Sequence, residues 1–310
     1  MRLERFKQLF VLTLTDTNRH SASTDAMSDD AWTTVSRKTK GNRTRRVIAA
    51  KAETALQAAA AATNYGDEDR AAESSLSEEE LQTRASACAA KVERAMADVR
   101  RARFIDAVLE RVERAVAERR RGRRVVVLVL GLGSPNASAA ARCQLALAKL
   151  MGDAIDRACG EDGGAVKIKL RDPCFTLVDE RFLGSVFGCE TLTEEACDAY
   201  LNGSAKEFVL FYMPHCEGHL YESVVRARWT VDAMRGFVCV GNTFTTYAER
   251  WSVKNADPEK KKPTHVIAAS TVCESSLVDP GDTFDVPGAF NDTSVQYFNV
   301  KDALPNVDED

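Results

Sequence analysis

The sequence predicts an α/β protein: a Rossmann-like three-layer sandwich with a mostly parallel sheet, preceded by a long helix and a disordered N-terminal tail. Three observations carry this. An unbroken apolar run, Val125 to Leu130, ends in Gly131-Leu132-Gly133-Ser134 and opens at once into a helical pattern. Further apolar runs at 165–172, 207–213 and 237–241 alternate with helix-patterned segments. Three of these runs end in polar clusters that a parallel sheet would gather on one rim. Alternation of this kind builds βαβ units with right-handed crossovers.

Taken in order, residues 1–76 mix Ser, Thr, Asp, Ala and basic residues without a sustained period, which reads as a disordered tail with a helical piece at Arg46 to Ala62. Met1 and Met27 are both candidate starts. Ser77 followed by Glu80 is a capping box, so 77–122 is read as one long helix. Val92, Met96, Val99, Ile105, Val108, Leu109, Val112 and Val116 give it a stripe that packs on the following domain, 123–300. Val125 to Leu130 shows no polar alternation, so both faces of that strand should be covered. Helices are expected near Leu177 to Phe187, from about Gly218 to Arg228 and near Tyr247. A polar loop over 253–264 then leads to a strand at His265 to Ser270. Residues 301–310 read as a disordered acidic tail.

The chain has 310 residues and a formal net charge of −4, which hides clustering. Arg37, Lys38, Lys40, Arg43, Arg45 and Arg46 form one basic block, and Arg119, Arg120, Arg121, Arg123 and Arg124 another. Such blocks are usually solvated faces or tails, and nucleic acid is not the expected partner. No run approaches the roughly 18 apolar residues of a membrane span. Nine cysteines without a CxxC pair fit reduced, buried thiols in a cytoplasmic or nuclear protein.

The expected ligand site is the rim where the strands end. Its residues are Gly131, Gly133 and Ser134 of the first loop, Asp172, then His215, Cys216 and Glu217, then Asn242 and Thr243, with Tyr247 beside them. The loop is not a complete dinucleotide fingerprint: Asn136 stands where the third glycine belongs, and Pro135 lacks an N–H donor, so NAD is not expected. A structural turn and a small anion or nucleotide site remain open for it. His215, Cys216 and His219 have a spacing that can hold a metal, with Cys239 or Asp172 as a further ligand. A helix start whose side chains serve hydrogen bonds is the preferred reading, so no metal is expected there. Cys216 as an activated nucleophile and Glu217 with Glu222 as an acid/base pair are weaker candidates. Tyr212, Tyr221, Phe244 and Tyr247 can stack a planar ligand or form core.

Several motifs together resemble one family. They are GLGS before a helix with Gln144-Leu145-Ala146, then Asp172-Pro173, then Met213-Pro214-His215-Cys216-Glu217 with His219-Leu220-Tyr221-Glu222, then Gly241-Asn242-Thr243-Phe244, and the closing run Ala289 to Phe298. Over about Val125 to Phe298 they resemble the SRR-like (sensitivity to red light reduced) domain family. Trp32-Thr33-Thr34-Val35 resembles the family's N-terminal tail more loosely. Gly218-His219 departs from the family's usual residues. The resemblance implies a non-enzymatic regulatory protein linked to circadian and light signalling and to haem biosynthesis. It implies no reaction, and makes haem a possible ligand at the rim. A partner protein or small molecule is expected; an enzyme acting on a nucleotide-like or phosphorylated substrate at the same rim is the alternative.

Overall fold

A computed structural model describes residues 66–160, 164–203, 205–252, 262–278, 284–286 and 288–307. The helical piece expected at 46–62, the first basic block, the 32–35 motif and both candidate starts lie outside the described residues, as does most of the 253–264 loop.

Among the described residues, three helices precede the sheet: α1 (Gly66–Glu73), α2 (Glu78–Arg101) and α3 (Ile105–Arg119). The capping box forms as expected: Ser77 N–H donates to Glu80 Oε2 at 2.9 Å, and Glu80 N–H to Ser77 Oγ at 3.3 Å. The single long helix, however, is two. Ala102 turns extended at φ −70, ψ 134, and Phe104 enters the core against Phe284 and Phe290, with ring centroids 5.9 and 5.2 Å away. Burial of that ring overrides a helical propensity that continues through the break. The tail's last residues are helical too, as α1.

The seven-stranded sheet runs β3-β2-β1-β4-β5-β7-β6. Its strands are β1 (Val125–Leu130), β2 (Lys167–Arg171), β3 (Glu190–Thr191), β4 (Phe208–Met213), β5 (Val238–Asn242), β6 (Cys273–Leu277) and β7 (Thr293–Phe298). β3, β2, β1, β4 and β5 pair in parallel; β7 is antiparallel to both β5 and β6. Every residue of β1 is buried, as its unbroken apolar run predicts. Val125, Val127 and Val129 face one core and Leu128 and Leu130 the other. At about 1.5–3 kcal/mol for each fully buried side chain, β1 anchors both layers.

The first layer consists of α2, α3, α4 (Ala139–Cys159) and α5 (Leu177–Arg181), the last continued by a wider π turn over Phe182–Val186. The second contains α6 (Glu194–Leu201), α7 (Gly218–Ala227), α8 (Val231–Arg235), α9 (Phe244–Ser252) and α10 (Thr264–Ser270). The expected strand at His265 to Ser270 is therefore helix α10. Its first turn is capped from outside: the Glu222 carboxylate on α7 accepts the N–H groups of His265 (3.1 Å) and Val266 (3.0 Å), and His265 Nδ1 lies 2.7 Å from it. A single-chain pattern cannot show a cap supplied by a distant helix. Glu222 is thus a helix cap rather than half of an acid/base pair.

Two surface expectations also change. Arg119, first of the second basic block, is buried with its guanidinium 4.2 Å from the Tyr297 ring centroid, and it donates to Asn299 Oδ1 at 2.7 Å. The C-terminal run is not free over its described part: Arg235 donates to the carbonyls of Val300 and Lys301, and Leu304 packs against the second layer. No helix among the described residues is long and apolar enough to cross a membrane.

A candidate ligand-binding rim

β1, β2, β4 and β5 are parallel, so the turns after them share one end of the sheet. The first wall is the Gly131 loop. Gly131 lies at φ 66, and a Cβ there would come 2.5 Å from Cys216 Sγ; Gly133 lies at φ 73. Only glycine adopts this region freely. The N–H groups after the turn have partners within the chain. Gly133 donates to Asp172 Oδ2 at 2.7 Å, Asn136 to Asp179 Oδ1 at 2.9 Å, and Ala137 to Ser134 Oγ at 3.2 Å. Asp172 also accepts the Cys174 N–H at 2.8 Å, and Asp179 the Thr176 N–H at 3.0 Å. Burial pushes both carboxyls above the usual aspartate range, against the pull of these donors.

The second wall is the Met213-Pro214-His215-Cys216 turn. His215 stands at φ 53, held by its N–H donating to Asn242 Oδ1 at 2.9 Å, with ring Nε2 3.3 Å from the Ala289 carbonyl. Burial lowers its pKa below the ordinary histidine value. The Cys216 thiol donates to the Leu130 carbonyl at 3.2 Å and is pushed well above its ordinary value by burial. A thiol so placed is not an activated nucleophile. Tyr247 supports the turn, its hydroxyl donating to the Cys216 carbonyl at 2.5 Å. That ring also accounts for Gly218, where a Cβ would stand 3.1 Å from Tyr247 Cδ1. Glu217 is exposed and makes no side-chain cap on α7.

The third wall follows β5. The Tyr221 hydroxyl ties two strand ends together, donating to the Met213 carbonyl and accepting the Asn242 N–H at 2.8 Å. Gly241 makes room for it: a Cβ there would also stand 2.6 Å from the Met213 carbonyl oxygen. Gln296 on β7 donates to the Asn242 carbonyl at 3.0 Å and accepts the Phe244 N–H at 2.9 Å. Thr243 Oγ1 lies 2.8 Å from Thr246 Oγ1 and donates to Asp292 Oδ1 at 3.1 Å.

Asp292 belongs to a fourth wall, Ala289 to Asp292, which sequence reasoning had quoted only as part of a resemblance. Gln144 on α4 donates to the Ala289 carbonyl at 2.9 Å. Asp292 lies at φ 56, burial raises its pKa, and the charges of Arg250 and His215 oppose that rise. Its second oxygen, Oδ2, is buried without a hydrogen-bond partner among the described residues. His215 and Asp292 thus sit together, both on left-handed backbone, as do functional residues held against local strain.

The structure therefore places Gly131, Gly133, Ser134, Asp172, His215, Cys216, Asn242, Thr243 and Tyr247 at one end of the sheet, their polar groups engaged by partners within the chain, while the Glu217 side chain makes no cap and stays exposed. Asp179, Gln296 and Asp292 were missed; Tyr221, expected to stack a planar ligand or form core, instead ties two strand ends together through its hydroxyl. The signals for them were thin: Thr176 with Asp179 makes a capping box, and Asn291-Asp292 is a turn-like pair before a strand. His215, Cys216 and His219 do not gather as metal ligands, and no group of three or more His, Cys, Asp or Glu among the described residues does.

Comparison with known proteins places the chain. The Protein SENSITIVITY TO RED LIGHT REDUCED 1 of Arabidopsis thaliana is 29% identical to it over 173 residues, which span 56% of this chain and 58% of that protein. The family model described as the SRR1 domain matches residues 99–297, from the end of α2 to the end of β7, and takes in all four walls of the rim. The chain belongs to the SRR1 domain family.

Proposed function

We propose that this chain is a non-enzymatic regulatory protein whose rim binds a small ligand and signals its occupancy. The observation that carries this reading is the His215–Asp292 pair: two residues on left-handed backbone, each sensing the other's charge, with Asp292 Oδ2 buried and without a hydrogen-bond partner among the described residues. A buried acceptor without a donor costs about 1–3 kcal/mol, which a ligand N–H or O–H would return. The regulatory part draws on family membership and on the relative's name, which refers to sensitivity to red light. Clock timing and control of haem biosynthesis come from the family resemblance, and haem is accordingly a ligand to try. Free thiols and the basic blocks support a cytoplasmic or nuclear setting.

Two features favour this over an enzyme acting on a phosphorylated substrate. The first-loop N–H groups that would cradle a phosphate go to Asp172 and Asp179. The thiol best placed to attack has its pKa raised rather than lowered.

A thermal-shift screen of the full chain with haem, zinc salts, nucleotides and sugar phosphates tests the proposal. A rim ligand at a hundredfold excess over its Kd adds about 2.7 kcal/mol of stability. That gain should vanish in Asp292→Asn and in the His215→Ala, Asn242→Ala double variant, with the unliganded circular dichroism unchanged. Turnover of any nucleotide or sugar phosphate would contradict the non-enzymatic reading, and stabilisation that survives both variants would remove the ligand from the rim.

A further inference from the structure

The opposite end of the sheet, where the strands begin, carries a cluster of arginines. α3 ends at Arg119 and the chain turns through Arg121 (φ 49) and Gly122 (φ 75) into Arg123, Arg124 and β1. Arg228, at the end of α7, reaches the same end: its charge and that of Arg123 interact, and its guanidinium carbon lies 4.8 Å from the Phe211 ring centroid. Arg123 lies 5.4 Å from the Phe208 ring centroid, at the start of the same strand.

None of Arg120, Arg121, Arg123, Arg124 and Arg228 pairs with a carboxylate among the described residues. Two acids near them are engaged by other arginines, Glu118 by Arg119 and Asp232 by Arg235. Arg228 is the recessed member. One of its terminal nitrogens donates to the Tyr200 carbonyl, while Nε is buried without a partner among the described residues. Burial and the neighbouring Arg123 charge lower its pKa to about 10, so at neutral pH it remains a desolvated cation beside a second cation. Gly203 and Gly236 border this pair at ordinary van der Waals distances. A Cβ on Gly203 would stand 3.8 Å from Arg228 Nη1, and one on Gly236 would stand 3.5 Å from Arg123 Nη2.

We propose that Arg228 and Arg123, flanked by Arg120, Arg121 and Arg124, form a binding site for the phosphoryl group of a small phosphorylated molecule. Guanidinium forks match phosphate oxygens two at a time, and a dianion between two repelling cations removes the repulsion and gives the buried Nε an acceptor. The site lies at the far end of the sheet from the rim and is independent of it. A phosphate cradle built from backbone N–H groups is absent here; recognition is by side-chain charge.

Isothermal titration and thermal shift on the full chain at low ionic strength test this, with inorganic phosphate and pyrophosphate as probes and sodium chloride at matched ionic strength as control. Both phosphates should bind saturably and raise the melting temperature beyond the chloride control, pyrophosphate more than phosphate. Losing one charge-assisted contact should weaken binding about tenfold in Arg123→Gln and in Arg228→Lys. Arg123 is exposed, so its variant reports on binding even where Arg228→Lys disturbs the fold. Asp292→Asn at the rim should leave phosphate binding unchanged. No response beyond chloride, or affinity unchanged in Arg123→Gln, would overturn the proposal. So would a single-stranded oligonucleotide that binds and is displaced by neither phosphate nor pyrophosphate, since that marks a nucleic-acid surface.

Discussion

Gly131 is a glycine for two separable reasons, its φ of 66 and the Cys216 sulfur 2.5 Å from where a Cβ would sit. Gly131→Ala should therefore destabilise the chain by about 1–3 kcal/mol in urea unfolding. Adding Cys216→Ala should recover the steric part and leave the backbone part, since the next nearest side-chain atom is the Cys216 Cβ at 3.8 Å. At the same rim, His215 and Asp292 titrate with opposite signs. Burial lowers His215 below its ordinary 6.5, so its contribution is present above pH 6.5 and is lost as the pH falls through the lowered value. Asp292 is raised above its ordinary 3.8, so its contribution is present below 3.8 and is lost as the pH rises through the raised value. Unfolding free energies measured across the acid range should then show Asp292→Asn gaining on the wild type as pH rises. His215→Gln should lose the wild type's decline below pH 6.5. Variants that track the wild type at every pH would remove both groups from the buried pair.

At the scale of elements, α10 depends on α7. Glu222 supplies the cap that Pro263 and Thr264 do not, so Glu222→Ala should cost about 1–3 kcal/mol and speed amide exchange at His265 and Val266 first. Unchanged exchange there would mean that α10 is held by its apolar contacts alone. The capping box of α2 is local and exposed, and Ser77→Ala should cost only about 1 kcal/mol. The same contrast decides what could be read from the sequence. Ser77 with Glu80, the apolar run of β1 and the Gly131 turn are encoded within a few residues, and all appear where expected. The break at Ala102 and the helix at 264–270 follow from Phe104 meeting Phe290 and from Glu222 meeting Val266, contacts between residues far apart in the chain. β6 carries Glu and Ser in place of an apolar run, and as an exposed edge strand it needs none.

At the scale of the molecule, one mostly parallel sheet separates two kinds of polar surface. The end after the strands is a closed network of carboxylates, amides and hydroxyls around His215 and Asp292. The end before them gathers Arg120, Arg121, Arg123, Arg124 and Arg228, none of which pairs with a carboxylate among the described residues. Parallel strand order made the first end legible in advance, because turns after β1, β2, β4 and β5 must share a rim. It left Asp292 unseen, since that residue lies in the turn just before the antiparallel strand β7, which no crossover pattern announces. The central claim is that the rim between the β4, β5 and β7 turns is a ligand site. Hydrogen exchange of the full chain, with and without haem and each further compound that raises its melting temperature, tests it most directly. Protection should appear in the segments around 213–216, 242–250 and 288–293, and Asp292→Asn should abolish it. Protection confined to other segments, or persisting in that variant, would contradict the account.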